Sequence, residues 1–418
     1  MDKLAILGGE PVRSKPLPTV NDKSGRNIGE EELKLLKSVI ESGRLFRYSG
    51  NMVSSFEEEF ADFLSVKYAV ASTSGTAALH IATGAAGLGP GMEVLTSPIT
   101  DAGTIIAILG QNSIPIFADI DPDTYNISPE DVEKRITERT KAIIAVHLFG
   151  LPTDMDPLLE LAEDKGLTVI EDCAQAYLAE YKGRLVGTIG DFGCFSLQQS
   201  KHMFTGDGGI TVTNDEELAG KARLFMDKGW DRSLGLPRAY VMIGFNYRMT
   251  ELQGAVARVQ LKKVKWVVER RRAVAESLTK RLGEIEGVYT PRVPKGFKHS
   301  YWLYPLKLEL SMFKAPLSDI AKAITAEGVP AGTGYIGKPI YMAPLFTEKR
   351  GYGGSKCPWM CPLYGKDVHY GEGLCPRAEE TLNALLTLPC NEYFTEEDVE
   401  DVAKAVEKVL SYYKKRQV

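Results

Sequence analysis

From Tyr68 onward the chain repeats a short apolar run, a turn and a helical stretch, and this alternation leaves few folds open. β-type runs stand at Tyr68–Ala71, Glu93–Ser97, Pro115–Ala118, Ala142–His147 and Thr168–Ile170. Between them lie helical patterns near Thr76–Ala86, Thr104–Gly110, Pro129–Ile136 and Met155–Lys165. Strands spaced by helices predict an α/β fold, a mainly parallel sheet covered on both faces. In such sheets ligands bind beyond the carboxyl ends of the strands. The residues just after each run are therefore the ones to read for chemistry.

The flanking segments are simpler. Met1 to about Asn27 is punctuated by Pro11, Pro16 and Pro18 and reads as an extended arm. Helices are expected at Glu30–Ser42, with Leu33, Leu36, Val39 and Ile40 on one face, and at Val53–Leu64. The irregular loop Gly43 to Gly50 between them is a candidate cover for a site. Met249 to about Leu282 reads as a long helix connecting to a second domain. A strand (Trp302–Leu308), a helix (Leu317–Glu327), a Gly/Pro/Tyr-rich region (Gly332–Pro376) and a last helix (Glu396–Tyr412) follow. The expected division is residues 1–265, arm and large domain, and residues 266–418, a smaller α+β domain.

With 50 basic against 55 acidic residues and no basic block, neither nucleic acid nor an anionic membrane is the expected partner. The start, MDKLAILGGEPVR, fits no signal or transit peptide, and no stretch approaches the roughly 20 apolar residues of a membrane span. A cytoplasmic location is expected. Cys173, Cys194 and Cys390 lie in apolar surroundings that suit reduced, buried thiols.

Three places after strands carry chemistry. Lys201 sits between the apolar run Phe192–Leu197 and a turn with Gly206, Gly208 and Gly209 that leads into Ile210–Val212. A lysine held there is partly desolvated, titrates low and can attack a carbonyl; taken alone, among 50 basic residues, it reads first as an ordinary loop lysine, and its partners elsewhere decide. Asp172, in EDCAQA after Thr168–Ile170, is either a turn cap or a carboxylate in need of a cationic partner such as a protonated ring nitrogen. Gln175 is three residues on. Ser72 to His80, STSGTAALH, fits both a phosphate cradle at a helix start and a plain helix cap. An amine for an aldehyde, a carboxylate for a pyridinium and a cradle for a phosphate are together what pyridoxal 5′-phosphate requires.

The segments SGTAAL, TKAIIAVHLFG, VIEDCAQA, FSLQQSKHMFTGDGG and GFNYRMTELQGAVARVQL resemble, in order and spacing, the DegT/DnrJ/EryC1/StrS family of PLP-dependent sugar aminotransferases. The resemblance runs from about Leu4 to the last helix. It implies the type I aminotransferase fold, with a seven-stranded-type sheet sandwiched by helices. It also implies roles. Lys201 forms the Schiff base with the cofactor and carries the proton. Ser196, Gly75 and Thr76 bind the phosphate, Asp172 meets the ring nitrogen, and Gln175 lies near the ring hydroxyl. Asn246 reaches the phosphate of a neighbouring subunit, which implies a homodimer with shared active sites. Arg248 either holds a carboxylate of the amino donor or forms an i,i+3 ion pair with Glu251.

Two positions depart from the family. Asp101, in SPITDAGT, replaces an aromatic residue that stacks on the cofactor ring, which leaves a hydrogen bond to the cofactor or to an amino group as its expected role. Trp302 stands where histidine is frequent. His202, beside the lysine, is expected to face away and carries no catalytic role. Cys357, Cys361, Cys375 and His369 match no standard zinc spacing, so no metal is expected and this stretch is read as a loop over the site. The expected reaction is ping-pong transfer of an amino group from glutamate or glutamine to a keto sugar, nucleotide-linked or not, or a keto-cyclitol. A sugar dehydratase of the same fold, which carries histidine in place of the lysine, and a non-catalytic PLP-binding regulator are the alternatives.

Overall fold

The computed structural model describes residues 3–415. The arm leads into helices α1 (Glu30–Ser42) and α2 (Met52–Leu64). The alternating region follows as β1 (Tyr68–Ser72), α3 (Gly75–Ala85), β2 (Glu93–Thr96), α4 (Ala102–Gly110), β3 (Ile114–Phe117), α5 (Pro129–Arg135), β4 (Thr140–Val146), α6 (Met155–Lys165) and β5 (Thr168–Asp172). A two-residue hairpin, β6 (Glu180–Tyr181) and β7 (Arg184–Leu185), precedes β8 (Phe192–Ser196), β9 (Gly209–Thr213) and α7 (Glu216–Met226).

Seven of these strands form one sheet in the order β1-β9-β8-β5-β4-β2-β3. The pairs from β8 to β3 are parallel, and β9 runs antiparallel to both of its neighbours, β1 and β8. The pleat explains how one strand serves two cores. Phe192 and Cys194 of β8 turn toward α3, α4 and α7, while Phe195 turns toward α2. Both faces being covered, the strands read as unbroken apolar runs.

Helix α8 (Glu251–Leu282) is 32 residues long and starts with a capping box in which Thr250 and Gln253 satisfy each other's backbone. Ala257, Leu261, Val264 and Val268 pack into the core beneath α2. Further on, Val274, Ala275, Leu278 and Leu282 enter a second core. The chain continues as β10 (Val288–Tyr289), β11 (Phe297–Lys298), β12 (Tyr304–Leu308), α9 (Leu317–Ala326), β13 (Gly332–Thr333), α10 (Pro344–Thr347), α11 (Pro376–Ala384), β14 (Leu385–Leu388) and α12 (Glu396–Tyr413), of which β10, β12, α9, β14 and α12 build that core, while α10 and α11 pack with Phe117 of β3. Of these strands, β10, β12, β14 and β13 form a four-stranded antiparallel sheet, whereas β11 pairs with β6. The expected division at 265/266 falls inside α8.

Three expectations change. The strand expected from Trp302 begins at Tyr304, which leaves Trp302 in an irregular segment with its side chain free to turn inward. The loop Gly43 to Gly50 borders a separate cleft of about 240 Å³ beside Glu251, not the space beyond the strand ends, and Phe46 and Tyr48 lie against the guanidinium groups of Arg248 and Arg232. The Cys-containing stretch packs on the edge strand β3 and not over the ends of β1, β5 and β8: Trp359, Tyr364, Tyr370 and Cys375 are buried with Phe117 of β3 and Phe346. Burial of its three aromatic rings holds it at that edge.

Candidate active site

The carboxyl ends of β1, β2, β5 and β8 surround a cavity of about 450 Å³. A larger cleft of about 710 Å³, lined by residues such as Tyr125, Arg292 and Glu380, holds none of the expected site residues. Chemistry selects the smaller one.

On one side of it α3 begins. Ser74 caps the helix by accepting the Ala77 N–H at 3.0 Å. The N–H groups of Gly75 and Thr76, in the first turn, have no intrahelical partner and border the cavity. Gly75 is required sterically: a Cβ there would lie 2.6 Å from the Ser196 Cβ. The helix start therefore sits directly against the Ser196 hydroxyl at the end of β8. The cap is made, and the same turn leaves its first N–H groups free for an anion, so the two readings left open by the sequence are compatible.

Opposite stands Asp172, the last residue of β5 and 6% exposed. Its Oδ2 accepts from the Thr104 hydroxyl at 2.7 Å and its Oδ1 from the Ala174 N–H at 3.1 Å. Burial pushes its carboxyl above the usual range, while these two donors and the Lys201 charge pull it back. Its neighbour Glu171 points to the other face of the sheet, where it accepts from His147 and from the N–H groups of Gly187, Ile189 and Gly190. His147, Glu171 and Cys173 are close enough to suggest a metal. The Glu171 oxygens are already taken by these donors, and both His147 nitrogens are engaged, Nδ1 by the Thr153 N–H.

Lys201 lines the same cavity, near enough to Asp172 for the two charges to interact. Its amine lies 3.9 Å from the centre of the Trp302 ring, whose Nε1 donates to the Ser200 carbonyl at 3.0 Å. Burial lowers the amine to about 8, and Asp172 and Asp101 pull it upward. Gln175 is fixed at both ends of its amide. Oε1 accepts from the Phe149 N–H at 2.7 Å, and Nε2 donates to the Tyr335 hydroxyl at 2.9 Å. Tyr335 meets Trp302 edge to face.

The structure thus brings Lys201, Asp172, Gly75, Thr76, Gln175, Ser196 and Asp101 to one cavity. Asp101 is there as the N-cap of α4, its carboxylate accepting the Gly103 N–H at 2.8 Å. Asn246 is exposed and outside the lining, bridged to Asp227. Arg248 is also outside it. It pairs with Asp227 and not with Glu251, whose carboxylate is occupied by the N–H groups of Met52 and Val53. His202 is buried on the far side: Nε2 donates to the Ser300 carbonyl, and burial drives its basicity far down.

The sequence profile of the DegT/DnrJ/EryC1/StrS aminotransferase family matches residues 26–407. The chain belongs to that family. This aminotransferase is 34% identical over 427 residues to the L-glutamine:2-deoxy-scyllo-inosose aminotransferase of Streptomyces fradiae, covering 98% of both chains. It is 35% identical over 302 residues to the GDP-perosamine synthase of Escherichia coli O157:H7, covering 72% of this chain and 80% of that one. The crystal structure of NtdA from Bacillus subtilis with bound cofactor PMP superposes with a TM-score of 0.78 at 27% identity, over 91% of this chain and 81% of the other.

The cofactor of this aminotransferase is pyridoxal 5′-phosphate, and the cavity fits it. An unencumbered helix start beside a serine hydroxyl suits a phosphate. A buried carboxylate suits a protonated ring nitrogen, and a desolvated amine suits an aldehyde. Because only the neutral amine attacks, the rate at which apoenzyme takes up added cofactor is expected to rise with pH through about 8, where the Lys201 ammonium loses its proton. Stopped-flow absorbance across pH 6.5 to 9.5, a range chosen to bracket roughly the shifted value, checks this.

Thr104 was not found from the sequence. Its hydroxyl, itself bonded to the Thr100 hydroxyl at 2.7 Å, is held 68 residues from its partner Asp172. A hydrogen bond to a charged group contributes about 1.5–3 kcal/mol, so Thr104→Val is expected to weaken cofactor binding at least tenfold, with Thr104→Ser restoring it. Equilibrium dialysis of cofactor against both variants measures the effect.

Proposed function

We propose that this aminotransferase takes its amino group from glutamate or glutamine and passes it to a ketone of a sugar, free or nucleotide-linked, or of a cyclitol. The observation that carries this reading is one cavity lined at once by Lys201, Asp172 and the open helix start at Gly75 and Thr76 beside Ser196. When bound, the pyridine ring of the cofactor supplies the electron sink that lets a proton leave the carbon next to the substrate nitrogen. Lys201 carries that proton from one carbon to the other, which a base lowered to about 8 does well near neutral pH. Asp172 keeps the ring nitrogen protonated. Gly75, Thr76 and Ser196 hold the phosphate, and Trp302 and Tyr335 line the cavity beside Lys201 and Gln175.

A homodimer with shared sites belongs to the same reading. Leu234, Leu236, Val241, Ile243 and Phe245 are exposed in one segment, Ile243 at 82%. Such an apolar run calls for a partner, and Asn246 directly follows it. A second copy covering this segment would bring its Asn246 to the phosphate.

The relatives named above act on a cyclitol ketone and yield a GDP-linked amino sugar by their names, and that supports either acceptor class. The test incubates the holoenzyme with glutamate or glutamine and then with keto-cyclitols and nucleotide-linked keto sugars, following amine products by mass spectrometry. Discharge of the cofactor by a donor with amination of one acceptor class is the expected result. Discharge without amination of any of them overturns the acceptor assignment. Co-expression of Lys201→Ala with Asn246→Ala, each inactive alone, is expected to restore activity only if the sites are shared.

A further inference from the structure

We infer that Arg26, on the N-terminal arm, is a positioning residue for Lys201, acting through the backbone of the lysine loop. The inference rests on Lys201 being the residue that carries the cofactor.

The carbonyls of three successive residues around the lysine are each taken by a side chain from elsewhere. Arg26 donates to the Gln199 carbonyl and, at 2.9 Å, to the Lys201 carbonyl. Trp302 takes the Ser200 carbonyl between them. Loop carbonyls ordinarily turn to water and leave the loop free to shift. Here they are fixed by a planar guanidinium and an indole, both rigid donors.

Both donors trace to one carboxylate, Arg26 directly and Trp302 through Arg271. Glu392, 1% exposed, lies 3.6 Å from Arg26 and 2.8 Å from Arg271. Arg271 donates to the Trp302 carbonyl at 3.1 Å. The arm residue also stacks on Phe204, 4.6 Å from its ring centre, and reaches back to the Val20 carbonyl at 3.3 Å. Arg26 is 2% exposed, and burial together with Arg271 pulls its basicity down to about 10. A fold that needed only to dock the arm has a cheaper device in place. Arg13 docks the same arm onto α12 through Asp398 and Asp401 and touches nothing in the lysine loop. What Arg26 adds is the geometry of residues 199 to 201, and displacement of a reacting group by about 1 Å costs on the order of a hundredfold in rate.

The test compares wild-type holoenzyme with Arg26→Met, Arg26→Lys and Arg13→Met. The readouts are kcat and KM for the amino donor, the visible circular dichroism of the bound cofactor, which reports its tilt in the site, and the thermal midpoint. Borohydride reduction of wild type followed by peptide mapping establishes which lysine carries the cofactor. The expected result is label on Lys201, a kcat lowered on the order of tenfold or more in Arg26→Met with an altered circular dichroism band and little change in KM. Arg26→Lys, a point charge that cannot span both carbonyls, is expected to fall between. Arg13→Met is expected to lower the thermal midpoint and leave kcat and the band unchanged. Label on Lys201 with wild-type kcat and band in both Arg26 variants overturns the inference alone, as does an Arg13→Met that reproduces their effects. Label on another lysine overturns the assignment of Lys201 and the inference with it.

Discussion

Lys201→Ala is expected to abolish amino transfer, lowering kcat by at least about 10³-fold. In the proposed roles, the substitution removes both the amine that captures the cofactor and the base that moves the proton, and proton transfer by a placed side chain alone contributes roughly 10² to 10⁴-fold. No neighbour replaces it. His202 is enclosed, donates to a backbone carbonyl and is driven by burial far below its ordinary basicity, so it holds no exchangeable proton at the cavity. Asp172 is engaged by Thr104 and Ala174. The measurement is product formation under saturating donor and acceptor, with cofactor absorbance recorded alongside. Retention of a tenth of the wild-type rate would establish a second base. The visible band that marks cofactor joined to lysine is expected to be missing from the variant, while the protein keeps its native circular dichroism in the far ultraviolet.

The second large effect concerns stability. Glu392 is the carboxylate shared by Arg26 and Arg271, all three nearly inaccessible. Glu392→Ala leaves two guanidinium groups buried and uncompensated, and removal of one partner from a buried ion pair costs about 3–5 kcal/mol. Arg271 bears most of it, because its Nε donates to Glu392 at 2.8 Å whereas Arg26 stands 3.6 Å away. The urea midpoint of the holoenzyme is expected to fall accordingly, whereas Glu396→Ala, at an exposed ion pair with Arg281, is expected to change it little. Equal midpoints for the two variants would show that Glu392 is not the keystone of that interior.

These residues differ in how visible they were from the chain alone. Lys201, Asp172 and the Ser74–Thr76 turn were legible because each follows an apolar run, and a doubly covered sheet assigns chemistry to those places before any contact is known. The helices were legible for the same local reason, a period and a cap. Glu216–Met226 was passed over although Asp215 caps it by accepting the Leu218 N–H, a signal present in the sequence. Asp101 carried a similar signal. An aspartate two residues before glycine at the start of an apolar helical run is a strong helix cap, and that is the work it performs. What was not legible is long-range: Thr104 meets a residue 68 positions away, and Arg26 meets carbonyls more than 170 positions away. The two-residue strands Val288–Tyr289 and Gly332–Thr333 were missed likewise, since partners distant in sequence define them.

Helix α8 spans roughly 48 Å, its 32 residues rising about 1.5 Å each, and serves as a wall of both interiors in turn. A continuous hydrogen-bonded rod has no soft joint at the place where one interior hands over to the other. The two interiors therefore ride on a common spine, and a tilt of the helix at one end is carried to the other as a displacement of the whole rod.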